Sequence, residues 1–176
     1  MDKLKIGKKF GKIFKYGYIG NLFVIKYGKK IFVIGMNYYL NLLIFIIYFF
    51  LYFFINYYIF SVNYSAFNVS NFVLLIALIW SHVMLTISDP GINKSKNNLV
   101  KCSCDKCYIN KKKNFIHCSF CDVCIRNLDH HCDFIGKCIG HRNYDIFVWF
   151  IIFMLLYILS LFASVLSTLI RFYHIN

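Results

Sequence analysis

Residues 117–138 of the chain read HCSFCDVCIRNLDHHCDFIGKC, and this stretch decides the fold. It holds five of the eight cysteines and three of the six histidines in a chain of 176 residues. The other cysteines lie just upstream, at Cys102, Cys104 and Cys107. Two cysteines with a two-residue gap can approach one metal ion from a tight turn, and zinc takes four such ligands in a tetrahedron. We therefore expect a domain that zinc stabilises.

Three apolar segments without a charged residue flank this domain, at 39–60, 67–87 and 146–170. Each is long enough for a helix to cross a hydrocarbon core of about 30 Å. The hydrophobic fraction of 60% exceeds the ~45–50% of soluble domains, which excludes a soluble globule and a disordered tail. We predict an α-helical multi-pass membrane protein with three transmembrane helices. The cysteine-rich domain lies between helices 2 and 3.

The orientation follows from the basic residues, which give the chain a net charge of +13. Residues 1–30 contain nine lysines, 88–145 contain ten Lys and Arg, and 61–66 contain no charge. Basic loops face the cytoplasm, where thiols stay reduced and bind metal in preference to forming disulfides. The predicted order is a cytosolic basic N-terminal arm (1–38), helix 1, a luminal loop (61–66), helix 2, a cytosolic zinc domain (88–145), helix 3 and a luminal C-terminus (171–176). Residues 20–35 of the arm are interpreted as a turn-rich linker.

The cysteine-rich segment from Cys102 to His141 offers twelve Cys and His side chains. Two closed tetrahedral sites use only eight of them, so a thiol or imidazole is left over. A cysteine left beside metal-bound neighbours is a candidate nucleophile, although spacing alone does not say which one it is. The basic charge comes with no nucleic-acid-binding motif, and we expect no nucleic-acid partner.

The segment Cys104–Phe147 resembles the cysteine-rich domain of the DHHC family of protein S-acyltransferases (palmitoyltransferases). Its pattern is C-x2-C-x9-HC-x2-C-x2-C-x4-DHHC-x5-C-x4-N-x3-F. Asp89-Pro90-Gly91 resembles the DPG motif of the family, while Gly20-Asn21 and Phe32-x2-Gly35 resemble elements of its plant and protozoan members. The adjacent His117-Cys118 fits the ligand order of a RING-type ubiquitin ligase poorly.

The resemblance implies two structural zinc ions, each held by three cysteines and one histidine. One ion would bind Cys104, Cys107, His117 and Cys124, and the other Cys118, Cys121, His131 and Cys138. Cys132 would be the nucleophile, His130 its base, and Asp129 the residue that orients His130. We expect His130 and the nearby zinc to lower the pKa of Cys132.

The same resemblance implies the substrates. Palmitoyl-CoA would be the acyl donor, with Lys111, Lys112 and Lys113 attracting its phosphates, and membrane-associated proteins would supply the acceptor cysteines. The protein would contact membrane lipid, in the Golgi or endoplasmic reticulum.

The chain also departs from the family pattern. The family usually has four spans followed by a TTxE motif, whereas this sequence ends just after the third span. Three alternatives follow: a truncated gene model, a partner chain that supplies the missing span, or a catalytically impaired zinc-binding membrane module. Asp133 and Phe134 stand where Pro and Trp usually follow the tetrad, and Lys137 replaces a common Asn. We expect the charge of Asp133 to oppose a Cys132 thiolate.

Overall fold

The structure, a computed structural model, describes residues 14–60, 65–92, 102–104, 109–110 and 114–175. The chain divides into two compact units, one formed by 1–41 and 84–147 and the other by 42–83 and 148–176. The elements in chain order are β1 (Phe14–Ile19), β2 (Leu22–Tyr27), β3 (Lys30–Ile34), α1 (Tyr38–Phe60), α2 (Ser65–Ile87), β4 (Cys102–Cys104), β5 (Ile109–Asn110), β6 (Phe115–Cys118), β7 (Val123–Arg126), β8 (His130–Cys132), β9 (Lys137–Ile139) and α3 (Tyr144–Ile175).

The three helices confirm the prediction of three long apolar segments. Each has the length and composition to cross a membrane, within Tyr38–Ile55, Val69–Ile87 and Tyr144–Arg171. Large apolar side chains cover their exposed surfaces, among them Phe50, Phe53, Leu159 and Phe162. Exposing so much apolar surface to water is unfavourable, whereas contact of the same surface with lipid is not. The chain is therefore a membrane protein.

The helix α3 differs from its predicted bounds. It begins at Tyr144 and continues to Ile175, through the segment interpreted as a luminal C-terminus. No Gly or Pro follows Ile170 to break the helix. A basic residue such as His174 is also favourable in the last turn, where the helix dipole is negative.

In the second unit, a buried polar contact joins α2 to α3. The side-chain amide of Asn71 donates to Ser164 Oγ at 3.0 Å, and Ser160 Oγ donates to Asn71 Oδ1. Asn71 and Ser164 are fully buried. Hydrogen bonds of this kind hold helices together where lipid offers no alternative partner.

His82 lies in the C-terminal half of α2 and is also buried in the second unit. Its ring is 4.7 Å from that of Phe45, 5.9 Å from Tyr48 and 5.0 Å from Phe150, measured between centroids. Aromatic rings at these distances attract one another. His82 is therefore a packed residue at a helix interface.

The N-terminal region contains an antiparallel sheet in the order β1-β2-β3, where the sequence had suggested a linker. Two-residue turns join the strands, and Gly20 and Gly28 adopt φ values of 54° and 57° in them. Side chains without this freedom rarely accept such turns. The runs 22–25 and 31–34 are rich in β-branched and aromatic residues, which favour strands.

This sheet completes the core of the first unit. Leu22 and Val33 are fully buried against residues of the cysteine-rich domain, namely Ile92, Cys118, Cys121, Val123, Ile125 and Cys138. The turn residue Asn21 reinforces the contact, because its backbone N–H donates to Cys121 O and its side-chain amide to Phe120 O, both at 2.9 Å. The N-terminal sheet and the cysteine-rich domain thus share one core.

The segment after α2 joins this core through Asp89. One carboxylate oxygen of Asp89 accepts hydrogen bonds from the N–H groups of Gly91 and Ile92, and the other accepts one from Arg142 Nη1 at 2.7 Å. Ile92 then pairs with Ile125 of β7. The Asp89-Pro90-Gly91 motif therefore turns the chain from the end of α2 onto the cysteine-rich domain.

We predict that Gly35→Ala destabilises the first unit. The added Cβ would overlap the carbonyl oxygen of Gly136, and because backbone atoms cannot swing aside we expect a loss of about 3 kcal/mol, the upper end for overpacking. Gly28→Ala is the matched control, since nothing lies within 4 Å of its new Cβ, and only its positive φ costs about 1 kcal/mol. Thermal unfolding in detergent, followed with a thiol-reactive dye, measures both. Equal melting temperatures for the two variants would contradict this packing.

Candidate active site and metal centre

The hairpin β6–β7 separates two neighbouring ligand candidates. His117 and Cys124 are directly opposite each other in the register, as are Cys118 and Val123. Successive side chains of a strand point to opposite faces, so His117 and Cys118 face different sides of the hairpin. His117 Nδ1 lies 3.8 Å from Cys124 Sγ. Adjacent residues on one strand therefore contribute to different clusters.

The hairpin β8–β9 repeats this separation. His131 pairs with Cys138, whereas Cys132 pairs with Lys137 and His130 with Ile139. Residues directly opposite in an antiparallel pair share a face. One face of the hairpin thus carries His131 and Cys138, and the other face carries His130 and Cys132.

A compact cluster forms where the two hairpins meet. The ligand atoms of Cys118, Cys121, His131 and Cys138 all lie within 4.8 Å of one another. His131 Nδ1 is 3.6, 3.3 and 3.6 Å from the Sγ atoms of Cys118, Cys121 and Cys138, and the last two sulfurs are 3.5 Å apart. Around a tetrahedral zinc ion these separations are about 3.5 Å for S···N and about 3.8 Å for S···S. The four side chains fit a zinc ion.

Each histidine in these clusters turns its second ring nitrogen toward a carboxylate. His131 Nε2 lies 3.5 Å from Asp133 Oδ1, and His117 Nε2 lies 3.6 Å from Asp122 Oδ1. Metal-binding histidines commonly have a carboxylate near the outer ring nitrogen, while Nδ1 faces the metal. The arrangement is the same for both histidines.

The thiols of Cys121 and Cys132 differ in their acidity. A hydrogen bond from Cys138 lowers the pKa of Cys121 to about 6, and the same contact raises the pKa of Cys138. Burial raises the pKa of Cys132, hydrogen bonds from the N–H groups of Ile135 and Phe134 partly oppose this, and the charge of Asp133 adds to it. The expectation that His130 and a bound zinc ion lower this pKa stays a prediction, whereas Asp133 raises the pKa, as expected from its charge.

His130 lies on the same face of β8 as Cys132 and has a hydrogen-bonded carboxylate. Its Nδ1 is 2.8 Å from Asp129 Oδ2, and both side chains are about half exposed. The ring of Phe147 packs edge-on against it at a centroid distance of 5.2 Å. With Nδ1–H donating to Asp129, the Nε2 lone pair stays available to accept a proton.

The remaining predicted site residues are only partly visible. Cys104 belongs to β4, whose backbone alone is described. Cys107 and the predicted phosphate-binding residues Lys111, Lys112 and Lys113 lie outside the described residues. The cluster of Cys104, Cys107, His117 and Cys124 therefore stays a prediction, of which the structure brings together His117 and Cys124.

Sequence reasoning assigned no role to Asn143, although its motif position was noted. Asn143 is fully buried, its side-chain amide donates to Cys138 O at 3.1 Å, and its Oδ1 accepts from the Gly140 N–H at 2.8 Å. It thereby fixes the loop between β9 and α3. The fixed spacing from Cys138 was the signal, but spacing does not reveal hydrogen-bond partners.

Comparison with known proteins agrees with this geometry. Residues 97–176 match the family model described as DHHC palmitoyltransferase. Palmitoyltransferase ZDHHC2 of Mus musculus is 43% identical over 70 residues, which are 40% of this chain and 19% of the relative. Palmitoyltransferase ZDHHC15 of Rattus norvegicus is 34% identical over 84 residues, 48% of this chain and 25% of the relative.

The chain thus spans 19% to 25% of the length of these curated relatives. The matched segment contains the two hairpins, the four-residue cluster and the Asp-His-His-Cys tetrad. The segment 97–176 is therefore similar in sequence to the DHHC palmitoyltransferase family.

Proposed function

We propose that the chain is a protein S-palmitoyltransferase. It takes a long-chain acyl group from acyl-CoA onto Cys132 and passes it to cysteine thiols of membrane-associated proteins. The relatives reported above carry the name palmitoyltransferase, which supports this reaction class.

The proposal rests on one observation: the two faces of the hairpin β8–β9 carry different functional groups. His131 and Cys138 point into the four-residue cluster, while His130 and Cys132 share the other face by the strand register. The carboxylate of Asp129 holds the His130 ring. A nucleophile, a base and an orienting carboxylate are thus supplied by three of the four residues 129–132, in β8 and just before it.

In the first step, Cys132 Sγ attacks the thioester carbonyl of acyl-CoA. Burial keeps the pKa of Cys132 above its ordinary value, so the thiol needs a base, and His130 Nε2 accepts its proton as the new S–C bond forms. The bond to the CoA sulfur then breaks, and the CoA thiolate takes the proton from His130. The products are free CoA and acylated Cys132.

The second step reverses these roles. A cysteine thiol of the protein substrate gives its proton to His130 and attacks the acyl group on Cys132. The bond to Cys132 breaks, and its sulfur recovers the proton. Each step exchanges one thioester for another, so no other energy source is needed.

The cluster of Cys118, Cys121, His131 and Cys138 would hold one structural zinc ion, and Cys104, Cys107, His117 and Cys124 a second. Zinc in such closed sites stabilises the fold and leaves no open position for substrate. The cluster is supported by its measured separations. Because His131 belongs to β8, the cluster also holds this strand in a fixed conformation.

The membrane helices suit the acyl donor. Each buried methylene of an acyl chain gains about 0.8 kcal/mol, so a palmitoyl chain gains on the order of 10 kcal/mol in an apolar environment. Three helices with apolar surfaces offer such an environment. The basic residues Lys111, Lys112 and Lys113 remain our candidates for attracting the CoA phosphates.

We predict that Cys121→Ser removes one of about two zinc ions per chain, because the cluster then lacks a thiolate ligand. Cys132→Ser is the matched control and should keep both ions, since Cys132 faces away from the cluster. Elemental analysis of the purified protein by mass spectrometry measures the content. Wild type without zinc, or equal metal content in the two variants, would disprove the assignment.

We predict that the purified protein acylates itself with labelled palmitoyl-CoA and that Cys132→Ser abolishes the label. His130→Ala should slow acylation about 10²- to 10⁴-fold, the usual contribution of a general base. His141→Ala, which removes an exposed imidazole from the same domain, should leave the rate unchanged. A protein that binds zinc without becoming acylated would be the impaired module considered above, and the enzyme proposal would fail.

We further propose that 88–145 faces the cytosol and that the protein resides in the endoplasmic reticulum or Golgi. The ten Lys and Arg of this segment support that orientation. An epitope inserted between Asn97 and Asn98 should be digested by protease added to sealed microsomes. An epitope protected until detergent is added would reverse the topology.

A further inference from the structure

A fully buried lysine lies next to the proposed nucleophile. Lys137 has no exposed surface, and its Nζ donates to three backbone carbonyl oxygens, those of Val33 and Thr86 at 2.7 Å and of Ser88 at 2.5 Å. An ammonium has three N–H donors, and all three are used here. Burying a charge is costly unless such partners compensate, so this geometry points to a specific role.

The three carbonyls come from two separate segments. Thr86 and Ser88 lie at the C-terminal end of α2, where carbonyls lack helical partners and the dipole is negative. Val33 is in β3. The apolar span of α2 ends at Ile87. The Lys137 amine therefore binds carbonyls on either side of the residue at which this span ends. One side chain connects β9, β3 and the end of α2.

The strand register links this amine to Cys132. Lys137 is the direct cross-strand neighbour of Cys132, and the two residues share a face of the hairpin. They enclose the turn 133–136, whose Gly136 N–H donates to Cys132 O at 2.9 Å. A displacement of Lys137 therefore displaces Cys132.

A second connection holds the same turn to the same helix end. Thr86 Oγ1 donates to Asn41 Oδ1 at 3.2 Å, and the Asn41 amide donates to Ile135 O at 3.3 Å. Asn41 is buried. Lys137, which follows the turn, and Ile135, within the turn, are thus both connected by hydrogen bonds to the last residues of α2.

We propose that Lys137 is a positioning residue that holds Cys132 at the level where α2 leaves the bilayer, so that the thiol meets the thioester of a lipid-embedded acyl chain. The inference rests on the proposed function. An acyl thioester stays at the membrane interface while its chain is in lipid, so the depth of the attacking sulfur decides whether it reacts.

The test compares two alkylating agents that approach Cys132 from different sides. The full chain, in lipid nanodiscs, reacts with 2-bromohexadecanoic acid, which partitions into lipid, or with iodoacetamide, which stays in water. Mass spectrometry of the Cys132 peptide gives the rate of alkylation by each agent. The ratio of the two rates reports the depth of the Cys132 sulfur in the bilayer, and the measurement needs neither acyl-CoA nor acyl transfer. Zinc content is measured on the same samples.

Lys137→Met should lower the ratio of lipid to water alkylation at least about tenfold, because misplacing a reacting atom by about 1 Å costs that much or more. Lys137→Arg, which keeps the charge and the donors, should restore part of the ratio. Lys29→Met is the matched control, since it makes the same change at an exposed turn between β2 and β3, and it should not alter the ratio.

A wild-type ratio in Lys137→Met with zinc retained overturns the proposal. If Lys137→Met loses zinc, Lys137→Gln is measured, since glutamine is neutral but keeps a donor. A lowered ratio with zinc retained in Lys137→Gln supports positioning. A wild-type ratio, or loss of zinc in this variant too, makes Lys137 a stability residue only. Because alkylation needs no acyl transfer, failure of the proposed function would show separately, as absent self-acylation.

Discussion

The structure of the first unit depends on the meeting of three thiols and one imidazole, from Cys118, Cys121, His131 and Cys138, between two short hairpins. Neither hairpin is long enough to be stable by its own backbone hydrogen bonds, since β6–β7 and β8–β9 have four and three residues in each strand. A ligand cluster that joins them supplies the missing stability when metal is bound. The same cluster fixes the orientation of β8. Because side chains alternate along a strand, fixing His131 on one face also fixes His130 and Cys132 on the other.

The N-terminal sheet adds a second constraint on the cysteine-rich domain within the first unit. Leu22 and Val33 complete the core of the cysteine-rich domain, and Gly35 approaches Gly136 so closely that no side chain fits between them. The turn after Cys132 is thus enclosed by residues that lie about a hundred positions earlier in the chain. The sheet is therefore structurally part of the cysteine-rich domain, although it carries none of the proposed catalytic groups.

The sequence was sufficient for the features that depend on composition and local spacing. Uncharged runs of about 20 residues predicted the helices, and the ligand spacing predicted metal binding. The grouping of Cys118, Cys121, His131 and Cys138 was implied by the resemblance to the DHHC family. Long-range contacts were not predictable in this way. The N-terminal sheet was missed because its apolar runs at 22–25 and 31–34 are short and lie among lysines. The role of Lys137 was missed because its carbonyl partners, at Val33, Thr86 and Ser88, have no sequence signal. The contribution of burial to the pKa of Cys132 was missed as well, because burial depends on the packed structure.

The contact of Asn71 with Ser160 and Ser164 has a consequence for how the helices of the second unit are assembled. Apolar side chains alone tolerate rotation or sliding of one helix against another, since a leucine or phenylalanine packs about as favourably against lipid as against protein. The buried amide of Asn71 does not tolerate such a movement, because turning α2 by one residue would leave the amide without a hydrogen-bond partner. This single amide therefore selects one azimuth and one vertical offset for α2 against α3 among many of nearly equal energy. The specificity of the pairing between α2 and α3 is thus concentrated in very few atoms.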